Sequence, residues 1–153
     1  MTELSTDFID LLSDLVDAEV DFLVVGGYAV AFYGHARATK DLDIFVRADP
    51  ENAERLFQAL VAFGAPLGQF KVKKEDFSNY GGILQLGIAP QRIDIINQIT
   101  GVTFEEALKD SKEFDIDGRT IHVIGLDALI KNKLAAGRDQ DLVDAKVLSR
   151  KRE

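Results

Sequence analysis

The chain has 153 residues, with 18 Lys and Arg against 26 Asp and Glu, a formal charge of −8. Hydrophobic residues make up 46% of it, which excludes a disordered chain, provides for one core and fits a single domain over residues 1–153. With no Cys and two His, a disulfide scaffold, a thiolate nucleophile and a sulfur-ligated zinc site are all excluded, so metal or proton chemistry falls mostly to carboxylates. The excess of acid argues against an extended grip on nucleic acid, which relies on clustered Lys and Arg, but leaves compact or locally held substrates open. No run approaches the roughly 18 apolar residues of a membrane span. The opening stretch is acidic and amphipathic, without the basic leader and apolar block of a secretory signal, so the expectation is a soluble cytoplasmic protein with no membrane partner.

Phe8, Leu11, Leu12, Leu15 and Val16 recur at helical spacing after a Ser5 cap, predicting an amphipathic helix over about 6–18. Phe22-Leu23-Val24-Val25 reads as a buried strand ended by Gly26-Gly27, and a short helix follows from Tyr28 to about Tyr33. Leu42 to Val46 is a second strand, and Asp49-Pro50-Glu51 supplies the cap and first-turn Pro of a helix reaching Phe63. Residues 82–88 and 92–96 are strand candidates joined through Ala89-Pro90-Gln91. A second hairpin, 113–116 with 120–123, turns at Asp117-Gly118, a pair suited to positive φ. Two helices, about 126–136 and 139–148, split at Gly137 and close the chain. The order predicts an α+β fold with a mixed central sheet flanked by helices.

The chemistry concentrates at Asp41 and Asp43. Two apart at the start of a strand, they project from one face and repel each other unless a cation sits between them. With their apolar flanks they suit a hard divalent cation, Mg²⁺ or Mn²⁺. The Gly26-Gly27 pair ends one strand and precedes a helix, where backbone N–H groups face an anion and the missing side chains admit a phosphate. Asp94 lies alone in the apolar run Ile93 to Ile96, where burial without a cationic partner is costly, and is the candidate third carboxylate.

Gly-Gly, a short helix, Asp-x-Asp on the next strand and a later strand Asp resemble the nucleotidyltransferase superfamily of the DNA polymerase β type. Val25 to Ala29 with Gly34, Arg37, Thr39, Asp41 and Asp43 looks more closely like its small bacterial branch, the AbiEii-type and minimal nucleotidyltransferases, and the similarity continues in Lys133 to Arg138 with Asp141 and Asp144. The resemblance implies that Asp41 and Asp43 bind metal, that Asp94 completes the site and acts as base, and that Gly26 and Gly27 hold a nucleoside triphosphate. Arg37, Thr39, Lys133 and Arg138 are its candidate nucleotide contacts. The implied reaction is attack of an acceptor hydroxyl of an RNA, a protein or a small molecule on the α-phosphorus, with release of pyrophosphate. The chain's length leaves little room for an acceptor domain, so a homodimer or partner protein is an expected way to complete the site.

The same residues have plainer readings. Asp-x-Asp recurs at Asp115-Ile116-Asp117 and Asp139-Gln140-Asp141, where turn and helix-cap chemistry suffices. The glycines suit a tight turn, Arg37 suits pairing with a nearby Glu or Asp, Lys133 suits a solvated helix position, His35 and His122 suit surface or packing positions, and Tyr28 and Tyr33 suit helix packing. Lys71 to Lys74 and Arg150 to Arg152 read as solvated basic edges and are the first places to look for a nucleic-acid contact. The rival to an enzyme is a nucleotide-binding or toxin–antitoxin interaction module of the same fold; a drug-modifying enzyme of aminoglycoside or lincosamide type is a third reading.

Overall fold

The structure, a computed structural model, describes residues 4–35, 41–87 and 91–152. Helix α1 (Thr6–Asp17) opens at Ser5, whose Oγ accepts from Phe8 N at 3.3 Å, and buries Phe8, Leu11, Leu12 and Leu15 along one face. Strand β1 (Phe22–Val25) is buried throughout, and α2 (Gly26–Phe32) starts on the very next residue. The two glycines therefore form the first turn of α2, where the sequence pattern begins the helix two residues later. Strand β2 (Leu42–Val46) leads to α3 (Pro50–Phe63), capped by Asp49 Oδ1 on Asn52 N at 2.7 Å and ended by Gly64 at φ +91°.

Beyond a 3₁₀ turn at Lys74–Phe77 come β3 (Ile83–Leu86) and β4 (Ile93–Ile96), an antiparallel pair whose expected connection, Ala89-Pro90-Gln91, lies largely outside the described residues. A helix that the apolar periodicity does not predict, α4 (Phe104–Lys109), is nucleated by a reciprocal cap: Glu106 N donates to Thr103 Oγ1 and Thr103 N to Glu106 Oε1, both at 3.1 Å. Strands β5 (Lys112–Ile116) and β6 (Arg119–Val123) form the second hairpin, with Asp117 and Gly118 at φ +50° and +80° as the Asp-Gly signal requires. Helix α5 (Leu126–Ala136) ends at Gly137 in the left-handed region, and α6 (Asp139–Lys151) follows.

The six strands form one mixed sheet in the order β3-β4-β2-β1-β6-β5, as the α+β expectation requires. β1 is antiparallel to β2 and parallel to β6, and β2 is parallel to β4. The end of β1, the starts of β2 and β4, the end of β6 and the start of β5 consequently all lie at one end of the sheet. No described helix is long and apolar enough to cross a membrane.

Candidate active site

The sheet register brings the carboxylates together. Asp43 on β2 is paired in register with Asp94 on β4, and on its other side with Val25, the last residue of β1. Neighbouring strands lie about 4.8 Å apart, so residues 51 positions apart in sequence stand side by side. Asp41 precedes β2 by one residue and is drawn to the same place by Arg92, whose guanidinium spans two of the acids. Arg92 Nε donates to Asp94 Oδ1 at 2.9 Å and its NH2 to Asp94 Oδ2 at 3.1 Å, while the same NH2 lies 3.0 Å from Asp41 Oδ2. This bidentate fork is the strong geometry for a guanidinium and a carboxylate. Arg92 was not among the candidates read from the sequence; its signal was its place two residues before Asp94, on the same face of that strand.

Gly26 explains why a glycine must end β1. Its φ is +67°, and a Cβ there would sit 2.1 Å from Asp43 Oδ2. The Asp43 carboxylate thus occupies the space a side chain would fill, flush against the first turn of α2. Gly27 follows it in that turn, partly exposed. Burial, then the negative charge of Asp94 beside it and a hydrogen bond with that carboxyl, push the Asp43 carboxyl up to about 7. Asp41 adds repulsion and Lys133 partly offsets it.

Lys133 is 6% exposed and cannot be the solvated helix residue of the plainer reading. Its Nζ lies 3.3 Å from Asp141 Oδ1 and 3.2 Å from Asp144 Oδ2. Asp144 also accepts from Gln140 Nε2 at 2.8 Å and stands 3.5 Å from His35 Nε2, so His35 does meet a carboxylate, on α6, that its sequence neighbours do not reveal. Arg138 Nε donates to Asp141 Oδ2 at 2.7 Å, and Arg138 N caps α6 through the same carboxylate at 3.3 Å. Asp141 therefore does have the helix-cap role expected of it, and carries an ion pair as well; its carboxyl is held below the usual range by Arg138 and Lys133 against the opposing effect of burial. Both cations are near enough to Asp43 to act on its charge. Arg37 and Thr39 lie outside the described residues. Asp115 and Asp117 serve the β5–β6 turn, Asp115 Oδ2 accepting from Gly118 N at 3.2 Å.

Hard oxygen donors, a carboxyl that retains its proton to about 7 and a buried Asp41 Oδ1 with no hydrogen-bond partner are chemistry compatible with a hard cation. As they stand, no three His, Asp or Glu side chains among the described residues are grouped to hold a metal ion. Arg92 supplies the positive charge between Asp41 and Asp94. The donor set fits a divalent cation: Asp41 offers Oδ1, and Asp94 would bind it with an oxygen that Arg92 now holds, beside Asp43.

The family model described as "Nucleotidyl transferase of unknown function (DUF2204)" matches residues 4–152. The chain belongs to this nucleotidyltransferase family. No curated protein matches it. Among solved structures it resembles the candidate nucleotidyltransferase TM1012 of Thermotoga maritima, at 19% identity and a TM-score of 0.57 over 97% of this chain and 94% of that one. It also resembles the antibiotic-resistance factor ANT(2'')-Ia, at 13% identity and a TM-score of 0.58 over 98% and 86%. A third is the lincosamide antibiotic adenylyltransferase LnuA, at 17% and 0.53 over 97% and 98%. At these identities the likeness is one of fold, and the fold is that of the nucleotidyltransferases.

Proposed function

We propose that the chain transfers a nucleoside monophosphate from a nucleoside triphosphate to an acceptor hydroxyl, in an Mg²⁺- or Mn²⁺-dependent reaction. The observation that carries this reading is the in-register pair Asp43 and Asp94, with Gly26 cleared of a side chain beside it. Asp43 and Asp94, joined by Asp41, would hold the metal, which when bound neutralises phosphate charge and orients the reacting oxygens. Gly26 and Gly27 leave room for the triphosphate to approach the backbone at the start of α2. Lys133 and Arg138 keep positive charge within reach of the same carboxylates and of a phosphate tail placed over them.

The acceptor oxygen forms a bond to the α-phosphorus as the bond from that phosphorus to the bridging oxygen breaks. The electron pair leaves with pyrophosphate, and the acceptor's proton passes to the Asp94 carboxylate. Arg92 fixes the orientation of Asp94 through both of its oxygens, and must release one of them for the proton to be received. Positioning and charge neutralisation then supply most of the rate.

The adenylyl transfer named for LnuA makes ATP the first donor to try. Labelled ATP, divalent metal and a panel of RNA, protein and small-molecule acceptors should give label transfer that Asp94→Ala lowers by at least about 100-fold, the scale of a general base. Transfer that survives Asp94→Ala unchanged would remove Asp94 from the chemistry.

A further inference from the structure

The same end of the sheet carries a second, oppositely charged feature. Lys109 at the end of α4, Lys112 at the start of β5, and Lys151 and Arg152 at the end of α6 line one open groove of about 720 Å³, together with Asp110 and Asp127. The net charge of these six side chains is +2, on a chain whose total is −8. Arg152 Nε is tied to Asp127 at 2.9 Å, while Lys109, Lys112 and Lys151 are exposed and form no ion pair among the described residues. Three unneutralised lysines gathered across three elements of an acidic protein are a site for an anion, and at this volume for one of more than a single phosphate.

The fold connects this groove to the carboxylates by two routes. Lys112 pairs with Val123, Val123 with Val24, and the neighbouring Val25 with Asp43, so the groove begins three strand spacings, or about 14 Å, from Asp43. Helix α2 runs between the same points. Gly26 touches Asp43 at one end, and two residues past the other end Gly34 is flanked by Lys151, whose Nζ would lie 3.4 Å from a Cβ there. The seven residues of α2 at about 1.5 Å each give about 10 Å, and Gly34 lies just beyond. Tyr33 Oη, donating to Ile124 O at 2.7 Å, fastens that end of α2 to the β6–α5 junction on which the groove rests.

We infer that this groove binds the phosphates of a single-stranded RNA and directs its 3′ end to the carboxylate site. At a rise of about 3.4 Å per nucleotide, the separation is spanned by roughly four stacked nucleotides, so phosphates in the groove leave the terminal hydroxyl over Asp43 and Asp94. A few local contacts of this kind are compatible with a net negative protein that has no extended basic face. The strand's role as acceptor rests on the nucleotidyl-transfer reading above; the groove's affinity for it does not.

The test is fluorescence anisotropy of a labelled single-stranded RNA dodecamer titrated with the full chain. Lys112→Gln with Lys151→Gln should weaken binding at least tenfold and reduce the slope of log affinity against log salt by about 1.4, the counterions released by two lysines on a single strand. Lys71→Gln with Lys73→Gln, the same charge change on the other basic cluster, should leave both unchanged. Equal RNA affinity in the groove variant and the parent overturns the inference. Pyrophosphate binding that depends on Lys112 and Lys151, without RNA binding, also overturns it and leaves a free-phosphate site. Label transfer to bound RNA that persists in Asp43→Asn would instead count against the catalytic assignment while leaving the groove standing.

Discussion

Gly26 and Asp43 occupy one another's space, and each constrains what the other can become. Gly26→Ala would press a methyl onto the Asp43 carboxylate at a backbone φ of +67°, where non-glycine residues are strained. The expected result is a loss of about 1–3 kcal/mol in urea unfolding, and loss of metal-dependent ATP affinity; a variant as stable and as tight as the parent would disprove the contact. Asp43 itself makes stability depend on pH. Its carboxyl ordinarily titrates near 3.8 and is raised to about 7 in the fold, so between those values the native state holds a proton that the unfolded chain has released. Its stabilising effect is complete below about pH 4 and is lost as pH rises through 7. Without divalent metal the protein should therefore lose on the order of 2–4 kcal/mol from this group between pH 4 and 8, and Asp43→Asn should flatten that decline. A parent and variant with parallel pH profiles would show that Asp43 titrates normally.

At the level of elements, the α5–α6 hairpin is fastened by buried charge. Lys133 lies between Asp141 and Asp144, and truncating it to Met leaves two buried carboxylates without their shared cation. The expected cost is about 3–5 kcal/mol, the scale for breaking a buried pair from one side, read by denaturant unfolding. Lys133→Arg, which keeps the charge, should recover part of it, and a loss below about 1 kcal/mol in Lys133→Met would mean that the carboxylates find other partners. Most elements were legible because their ends carry local signals: Ser5, Asp49-Pro50, Asp117-Gly118 and Gly137 all act where their chemistry says they should. Helix α4 was not, since six residues give too few turns for a periodic apolar stripe and its signal is confined to the Thr103–Glu106 cap. The start of α2 was misplaced because glycine is a poor helix former, and tertiary packing against Asp43 overrides that preference.

For the whole molecule, a divalent metal at the proposed site would compete with a proton for one set of oxygens. Mg²⁺ bound at the carboxylate site should raise the melting temperature more at pH 8 than at pH 5.5, because at the lower pH Asp43 holds a proton that the metal must displace. An equal shift at both pH values, or none in the parent, would exclude Asp43 as a ligand. The −8 charge describes the outer surface as a whole and not the carboxylate end of the sheet, where Lys133 of α5 and Arg138 at the start of α6 act on the charge of Asp43.

Residue types and spacings alone determined the strands, most helices, the mixed α+β class and the three candidate acids, because local backbone preferences and apolar periodicity act over a few residues and leave a direct mark on the sequence. That Asp43 and Asp94 stand side by side, that Arg92 bridges Asp41 to Asp94, and that Lys133 is buried against α6 were decided only by the tertiary structure. Those relations depend on strand order and register across gaps of tens of residues, which no local pattern encodes.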